Sequence, residues 1–247
     1  MNKDINIIFK DQEGHEIHKS DLKNATGKVQ YELIGNQHVS PQASQLHQQS
    51  RHEGQQGNYL AALELLEQAH KLAPEWPYPV YDMAYTYLLQ EDINNAVKYY
   101  TLVNQLAPGG FFTTKTALHT LKKEVNGNYP KGLYLAYLRI EWTNSIAQKE
   151  KIARNLIERV PDFAPAWKEL ANCLEESSQK LVAIEQGLQA NPDLETKGML
   201  LINKAIVLFN QGKHQEAIDI LGYLIVNTEN TIGTRESAKF VLSQFID

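Results

Sequence analysis

Residues 108–116, Pro-Gly-Gly-Phe-Phe-Thr-Thr-Lys-Thr, carry the side chains that a phosphate loop uses: two glycines, then Lys115 and Thr116. Such a loop needs glycine directly before the lysine and a strand before the glycines. Here Thr114 precedes Lys115, and the apolar spacing ahead of Pro108 is helical, so the segment reads as a turn between helices. Other chemistry is equally thin. His15 and His18, set on a strand, would point to opposite faces. His47 and His52 would stand roughly 140° apart around a helix, poor geometry for sharing a metal. Cys173 is the single cysteine, which excludes an intramolecular disulfide and a cysteine-clustered zinc site. No basic group stands at helical spacing to activate its thiol, so packing is its expected role. Glu175 and Glu176 fall on a helix end facing solvent. There is no Gly-x-Ser-x-Gly elbow, Gly-x-Gly-x-x-Gly turn or His-Glu-x-x-His pair. The expectation is a protein that is not an enzyme, with no catalytic residue, no metal and no cofactor.

Positioning residues of any kind takes a scaffold, and 247 residues suffice for one long domain or two modest ones. A net charge of −5 argues against coating nucleic acid, which needs a basic face to displace counterions. The first residues hold only a short apolar patch with early acids, unlike a secretory signal. No run approaches the ~18 apolar residues that span a bilayer. The expected setting is cytoplasmic, away from membrane and nucleic acid.

The scaffold shows itself as a repeat. The segment starting at Gly57 and the one starting at Glu91 match with a period of 34 residues: Ala62 with Ala96, Leu66 with Tyr100, Leu72 with Leu106, Pro74 with Pro108. Both close on Leu-Ala-Pro. The alanines suit a close crossing of two helices. The prolines end the second helix of each pair, because proline cannot continue the hydrogen-bond ladder. Gly57-Asn58 and Glu91-Asp92 supply the turns within pairs. The pattern recurs at 127–133, with Gly132 at the close-contact position. It recurs again at Trp167, Leu170, Ala171 and Leu174 with closing Pro192, and at Leu201, Ala205, Leu208, Gly212-Lys213 and Ala217.

These positions resemble the tetratricopeptide (TPR) repeat over roughly residues 40 to 228. The resemblance implies an all-α, TPR-like helical-repeat solenoid of about five helix pairs plus capping helices. The middle departs from strict alternation: helices are expected near 111–125, 131–142 and 146–159. We read 111–142 as an expanded third pair, followed by a helix capped by Ser145 and a hinge near Asn144. Repeats 1–3 then occupy 40–142, and repeats 4–5 with capping helices occupy 145–247. Ala238, Val241, Leu242 and Phe245 share one face of a terminal capping helix. Residues 1–36 differ: Ile5–Phe9, a turn at 10–14, His15–His18 and Lys28–Ile34 read as a small β-hairpin or three-strand segment. Ser40-Pro41 starts the first helix.

TPR-like stacks line a concave groove with their first helices, so the resemblance implies groove positions Arg51, Tyr78, Tyr81, Asp82, Tyr85, Phe112, Lys115, Thr116, His119, Lys122 and Lys123. Aromatic anchors with four cations suit a partner protein or an extended acidic peptide. The alternative for Tyr78, Tyr81 and Tyr85 is that they fill inter-repeat space. Of the positions some TPR proteins use to hold a terminal carboxylate, only Arg51 keeps the chemistry, and Asp82 would repel one. The expected function is a protein-interaction scaffold. The alternative is a self-associating subunit of a homo-oligomer, and a small-ligand or catalytic role for the β segment ranks last.

Overall fold

Helices begin and end where residue chemistry dictates. In this computed structural model the described residues are 39–246, together with the backbone of three short strands: β1 (Ile5–Lys10), β2 (Glu16–Ile17) and β3 (Gln30–Gly35). Helix α1 (Pro41–Gln55) starts at Ser40, whose side chain accepts from the Ala43 amide at 3.2 Å, with Pro41 in the first turn. Eleven more helices follow: α2 (Tyr59–Leu72), α3 (Pro77–Leu89), α4 (Ile93–Leu106), α5 (Thr114–Val125), α6 (Leu133–Glu141), α7 (Ile146–Arg159), α8 (Ala164–Cys173), α9 (Ser177–Gln189), α10 (Leu194–Asn210), α11 (His214–Val226) and α12 (Ile232–Ile246). The fold is all-α and helical-repeat. Helix α1 lies along α2, α3 along α4, α8 along α9, and α10 along α11.

Two kinds of helix ending recur along the stack. Helices α1, α3, α5 and α10 close on a left-handed residue: Gly57 (φ 81°), Glu91 (φ 60°), Gly127 (φ 73°) and Gly212 (φ 79°), whereas α8 ends on extended Leu174 (φ −72°). The following amide then returns to a carbonyl of the last turn, Asn58 to Glu53, Asp92 to Tyr87, Asn128 to Lys123 and Lys213 to Leu208. Helices α2, α4 and α7 close on a non-helical residue before proline, Ala73 (φ −140°), Ala107 (φ −131°) and Val160 (φ −139°), whereas α9 ends with left-handed Asn191 (φ 48°) before Pro192. Crowding by the proline ring bars that residue from the helical region.

By these endings α5 is a first helix and α7 a second one. The nine-residue α6 stands between them as the supernumerary element. This corrects the reading of Gly132 as a close-contact position. Gly132 is the N-cap of α6 at φ 80°, and nothing lies within 4 Å of where its Cβ would be. Helix α6 instead delivers Tyr134 and Tyr137 to the interior, both fully buried. One buried cluster runs from Ala84 and Leu88 through Tyr100, Leu121, Tyr134 and Phe163 to Leu200 and Val207. Ala62, Ala96, Ala205 and Ala217 are buried at the helix crossings, as their spacing predicts. Helix α12 closes the stack, with Ala238 buried and Val241, Leu242 and Phe245 packed on the last cluster.

The stack also contacts itself across sequence. Helix α10 touches α5, and α12 packs on α10. At the latter crossing a Cβ on Gly198 would meet Thr234 Oγ1 at 2.3 Å and its Cγ2 at 2.5 Å. Gly198→Val is therefore expected to lose roughly 1–3 kcal/mol through overpacking. Thr234→Ala in the same chain should restore part of the melting temperature, and two additive losses would contradict this contact.

Ahead of the helices, β1 pairs antiparallel with β2 and with β3 in the order β2-β1-β3, with Ile5 opposite Gly35 and Lys10 opposite Gln30. The turn expected at 10–14 and the pair His15 and His18 fall largely outside the described residues.

Candidate functional site

The amino end of α5, within the segment that resembles a phosphate loop, is capped by a carboxyl group from another helix. Amides at the start of a helix have no partner inside it and need an acceptor. The N-cap Thr113 makes no side-chain cap. Its hydroxyl instead bonds that of Tyr81 at 3.1 Å and accepts from Tyr134 at 3.3 Å. The acceptor comes from α10: Glu195 Oε1 takes the Lys115 amide at 3.1 Å, and Oε2 takes the Thr116 amide at 3.0 Å. Asp193 caps its own helix, accepting from the Glu195 and Thr196 amides at 3.0 and 3.1 Å. The Thr116 hydroxyl lies 2.9 Å from Asp193 Oδ1 and 3.1 Å from Glu195 Oε2. Two helix amino ends, each with partial positive charge, thus face a shared pair of carboxylates. Burial, and then the charge of Asp193, push the Glu195 carboxyl up to about 8.

The glycines of the opening motif serve the same closure. Ile232 donates its amide to the Gly109 carbonyl at 2.8 Å. A Cβ on Gly110, which sits at φ 103°, would stand 2.8 Å from Thr231 Cβ. The side chains of Ile232 and Thr231 at the start of α12 leave no room for a Cβ at either glycine.

The groove positions named from sequence divide into three groups. Tyr78, Tyr81 and Phe112 join Phe111 in one cluster of rings, with centroids 4.8 Å apart for Tyr78–Phe111 and 5.2 Å for Tyr81–Phe112. Burial pushes the Tyr81 hydroxyl far above its usual range. The α5 positions look elsewhere. Lys115 Nζ donates to Asn104 Oδ1 at 2.6 Å and to the Pro108 carbonyl, and Lys123 Nζ donates to the Tyr129 hydroxyl at 2.9 Å. His119 is half-buried, and burial followed by the charge of Lys123 lowers its pKa. Lys122 is exposed.

Arg51, Asp82 and Tyr85 are the group that the structure brings together. With Tyr59, Leu66 and Leu89 they line an opening of about 300 Å³ between α1, α2 and α3. His47 Nε2 donates to Asp82 Oδ2 at 2.8 Å, fixing that carboxylate. Trp142, just past the end of α6, is 51% exposed and donates its indole N–H to the Tyr85 hydroxyl at 3.1 Å. Tyr59 and Trp142 escape a reading by repeat period, since one follows a turn and the other belongs to the supernumerary helix.

A second cluster lies on α8. Lys168 Nζ donates to Glu169 Oε1 at 2.6 Å and to the Tyr137 hydroxyl at 3.0 Å, and that hydroxyl donates to Glu169 at 3.1 Å. Asn203 extends the chain by donating to Asn172 Oδ1 at 2.8 Å. These groups satisfy one another. Burial pushes the Cys173 thiol up, away from reactivity. Among the described residues no group of histidine, cysteine, aspartate and glutamate is arranged for a metal, and no helix is long and apolar enough to cross a membrane.

No protein-family model matches the chain, and no curated protein does. Among solved structures it is similar to a thermophilic TPR protein of Thermus thermophilus at 16% identity, with 81% of this chain and 99% of that one covered and a TM-score of 0.36. It is similar to the TPR2AB domain of yeast Sti1, solved as a complex with pHSP90, at 16% identity over 84% and 86% with a TM-score of 0.40. A tetratricopeptide repeat protein from Parabacteroides merdae stands at 15% identity over 93% and 91% with a TM-score of 0.39. These are likenesses of fold. With its 34-residue period and its paired helices, the chain is an all-α helical-repeat protein whose spacing resembles the tetratricopeptide pattern.

Proposed function

We propose that this protein is a binding scaffold that holds an extended segment of a partner protein at the opening between α1, α2 and α3, beside Trp142. The observation that carries the reading is the Trp142–Tyr85 pair, an exposed indole bonded to a tyrosine at the edge of a cavity of about 300 Å³. Tryptophan and tyrosine are among the residues that most often dominate interface energy. The adjoining stretch of the stack is filled by the chain itself, through Glu195, Thr231 and Ile232. Lys115 and Lys123, on which an acidic ligand would depend, bond within the chain, so the reading places the contact on α1, α2 and α3 with Trp142 instead. Affinity would come from aromatic burial on a pre-formed surface, with no chemistry performed. We further propose that residues 1–36 form a small β segment appended to the stack, a reading supported by the antiparallel pairing of β1 with β3.

Three baits matched for helicity test the proposal in a pull-down: the native chain, a Tyr85→Ala/Trp142→Ala variant, and a Lys115→Ala/Lys122→Ala/Lys123→Ala variant. The expected result is a partner lost from the aromatic variant alone, since each hot spot contributes about 2 kcal/mol or more. A partner held equally by all three baits, or lost only from the lysine variant, overturns the reading. Recovery of the protein itself alone, with a mass by light scattering that rises with concentration, would favour self-association.

A further inference from the structure

The opening has an electrostatic character that names the kind of segment it receives, an inference that rests on the reading above. Two helices end at it, and a third ends beside it. Gln55 closes α1 and Leu89 closes α3, and both line the cavity; Glu141 closes α6, and its neighbour Trp142 bonds Tyr85. The carboxyl end of a helix carries partial negative charge and favours a cation. Asp82 adds a full negative charge to the lining, held in place by His47. The charges of Glu141 and Asp82 both reach the Tyr85 hydroxyl, where burial and then Glu141 raise the pKa. Tyr59 and Tyr85 present rings whose faces attract a cation, with Trp142 at the margin. Leu66 and Leu89 supply apolar wall. Among the described residues of the lining Arg51 is the one cation, and it is exposed, so its long side chain can keep its charge in water.

We propose that the opening selects a partner segment carrying a lysine or arginine, whose aliphatic stem lies along Leu66 and Leu89 and whose charged head meets Asp82 beside the rings of Tyr59 and Tyr85. Such a side chain is amphipathic in the same order as the cavity, with apolar wall and then carboxylate. An acidic segment would instead meet Asp82 and the carboxyl ends of α1 and α3.

The test uses the full chain and two fluorescein-labelled ten-residue peptides, identical except that one carries three lysines where the other carries three glutamates. Binding is followed by fluorescence anisotropy. The lysine peptide should bind at least about tenfold more tightly, with the preference shrinking as salt screens the charges. Arg51→Glu changes an exposed residue and should leave the fold intact. It should tighten the lysine peptide roughly three- to tenfold, while Asp82→Asn should weaken it by a similar factor. Equal or tighter binding of the glutamate peptide, no binding of the lysine peptide, or indifference to Arg51→Glu overturns the inference. If a captured partner is still lost from the Tyr85→Ala/Trp142→Ala bait, the opening remains the contact and only its charge preference is refuted.

Discussion

Glu195→Ala should lower the melting temperature by about 6–12 °C and detach α10 from the amino end of α5. The carboxylate accepts from the Lys115 and Thr116 amides and lies against the Thr116 hydroxyl. Truncation leaves the two amides without their acceptor, while the Thr116 hydroxyl keeps Asp193. The combined loss is about 3 kcal/mol, and each kcal/mol shifts the melting point by about 2–4 °C in a chain of this size. Glu195→Gln has a different outcome, because an amide oxygen still accepts and the amino group can donate to Thr116.

The pH dependence separates the two variants further. In the folded protein the Glu195 carboxyl titrates at about 8, above its ordinary 4.5. The folded state therefore binds the proton more tightly than the unfolded chain between those values. The contribution to stability is full below about 4.5, declines as pH rises, and is lost by about 8. Asp193 at the head of α10 and Lys115 and His119 on α5 are the other charged or titratable groups facing this contact, and Asp193 drives the shift after burial itself. The native melting temperature should thus fall between pH 5 and 9 as this carboxyl ionises, and the Gln variant should show a flatter profile. An identical slope in both proteins would contradict the assignment.

The second large effect belongs to Lys168. Its ammonium and Glu169 form a close pair at 2.6 Å, with side chains only 19% and 16% exposed, and Tyr137 completes the set. Burial opposes the charge on Glu169, yet the charge and hydrogen bonds of Lys168 hold its carboxyl below the usual range. Lys168→Met strands that carboxylate, with an expected loss of about 3–5 kcal/mol by chemical denaturation. Lys168→Met/Glu169→Leu removes both charges and should recover most of the loss, because a well-packed apolar pair often matches a buried ion pair. If the double variant is as unstable as the single one, the pair is not the source of the effect.

Much of the architecture follows from local rules, and for that reason it could be read from spacing. Ala62 and Ala96 are small because two helices cross there, Pro74 and Pro108 bar the preceding residue from the helix, and Gly57 and Glu91 take the turn between partners. The middle misleads because Gly-Asn-Tyr at 127–129 repeats the turn of Gly57-Asn58-Tyr59, but the chain then runs into α6 from a left-handed Gly132. The closure by Glu195 lies 80 residues from the amide it caps. A periodic pattern reports which face of a helix is apolar, not which distant helix it meets. The only local sign was Asp193 three residues before Thr196, a helix start with no stated target. The groove positions taken from the resemblance named Arg51, Asp82 and Tyr85. Trp142 lies on the element that breaks the repeat and had no periodic position to announce it.

The claim on which the account turns is that the chain fills one stretch of its own inner surface with Glu195 and leaves the stretch at Tyr85 and Trp142 open. Residue-resolved hydrogen exchange by NMR tests it most directly. First-turn amides of a helix ordinarily exchange fast when water is their acceptor. The account predicts that the Lys115 and Thr116 amides exchange as slowly as the middle of α5 in the native chain, and fast in Glu195→Ala while the rest of α5 stays protected. Fast exchange of both amides in the native protein would contradict it, since the carboxylate would then not be seated there.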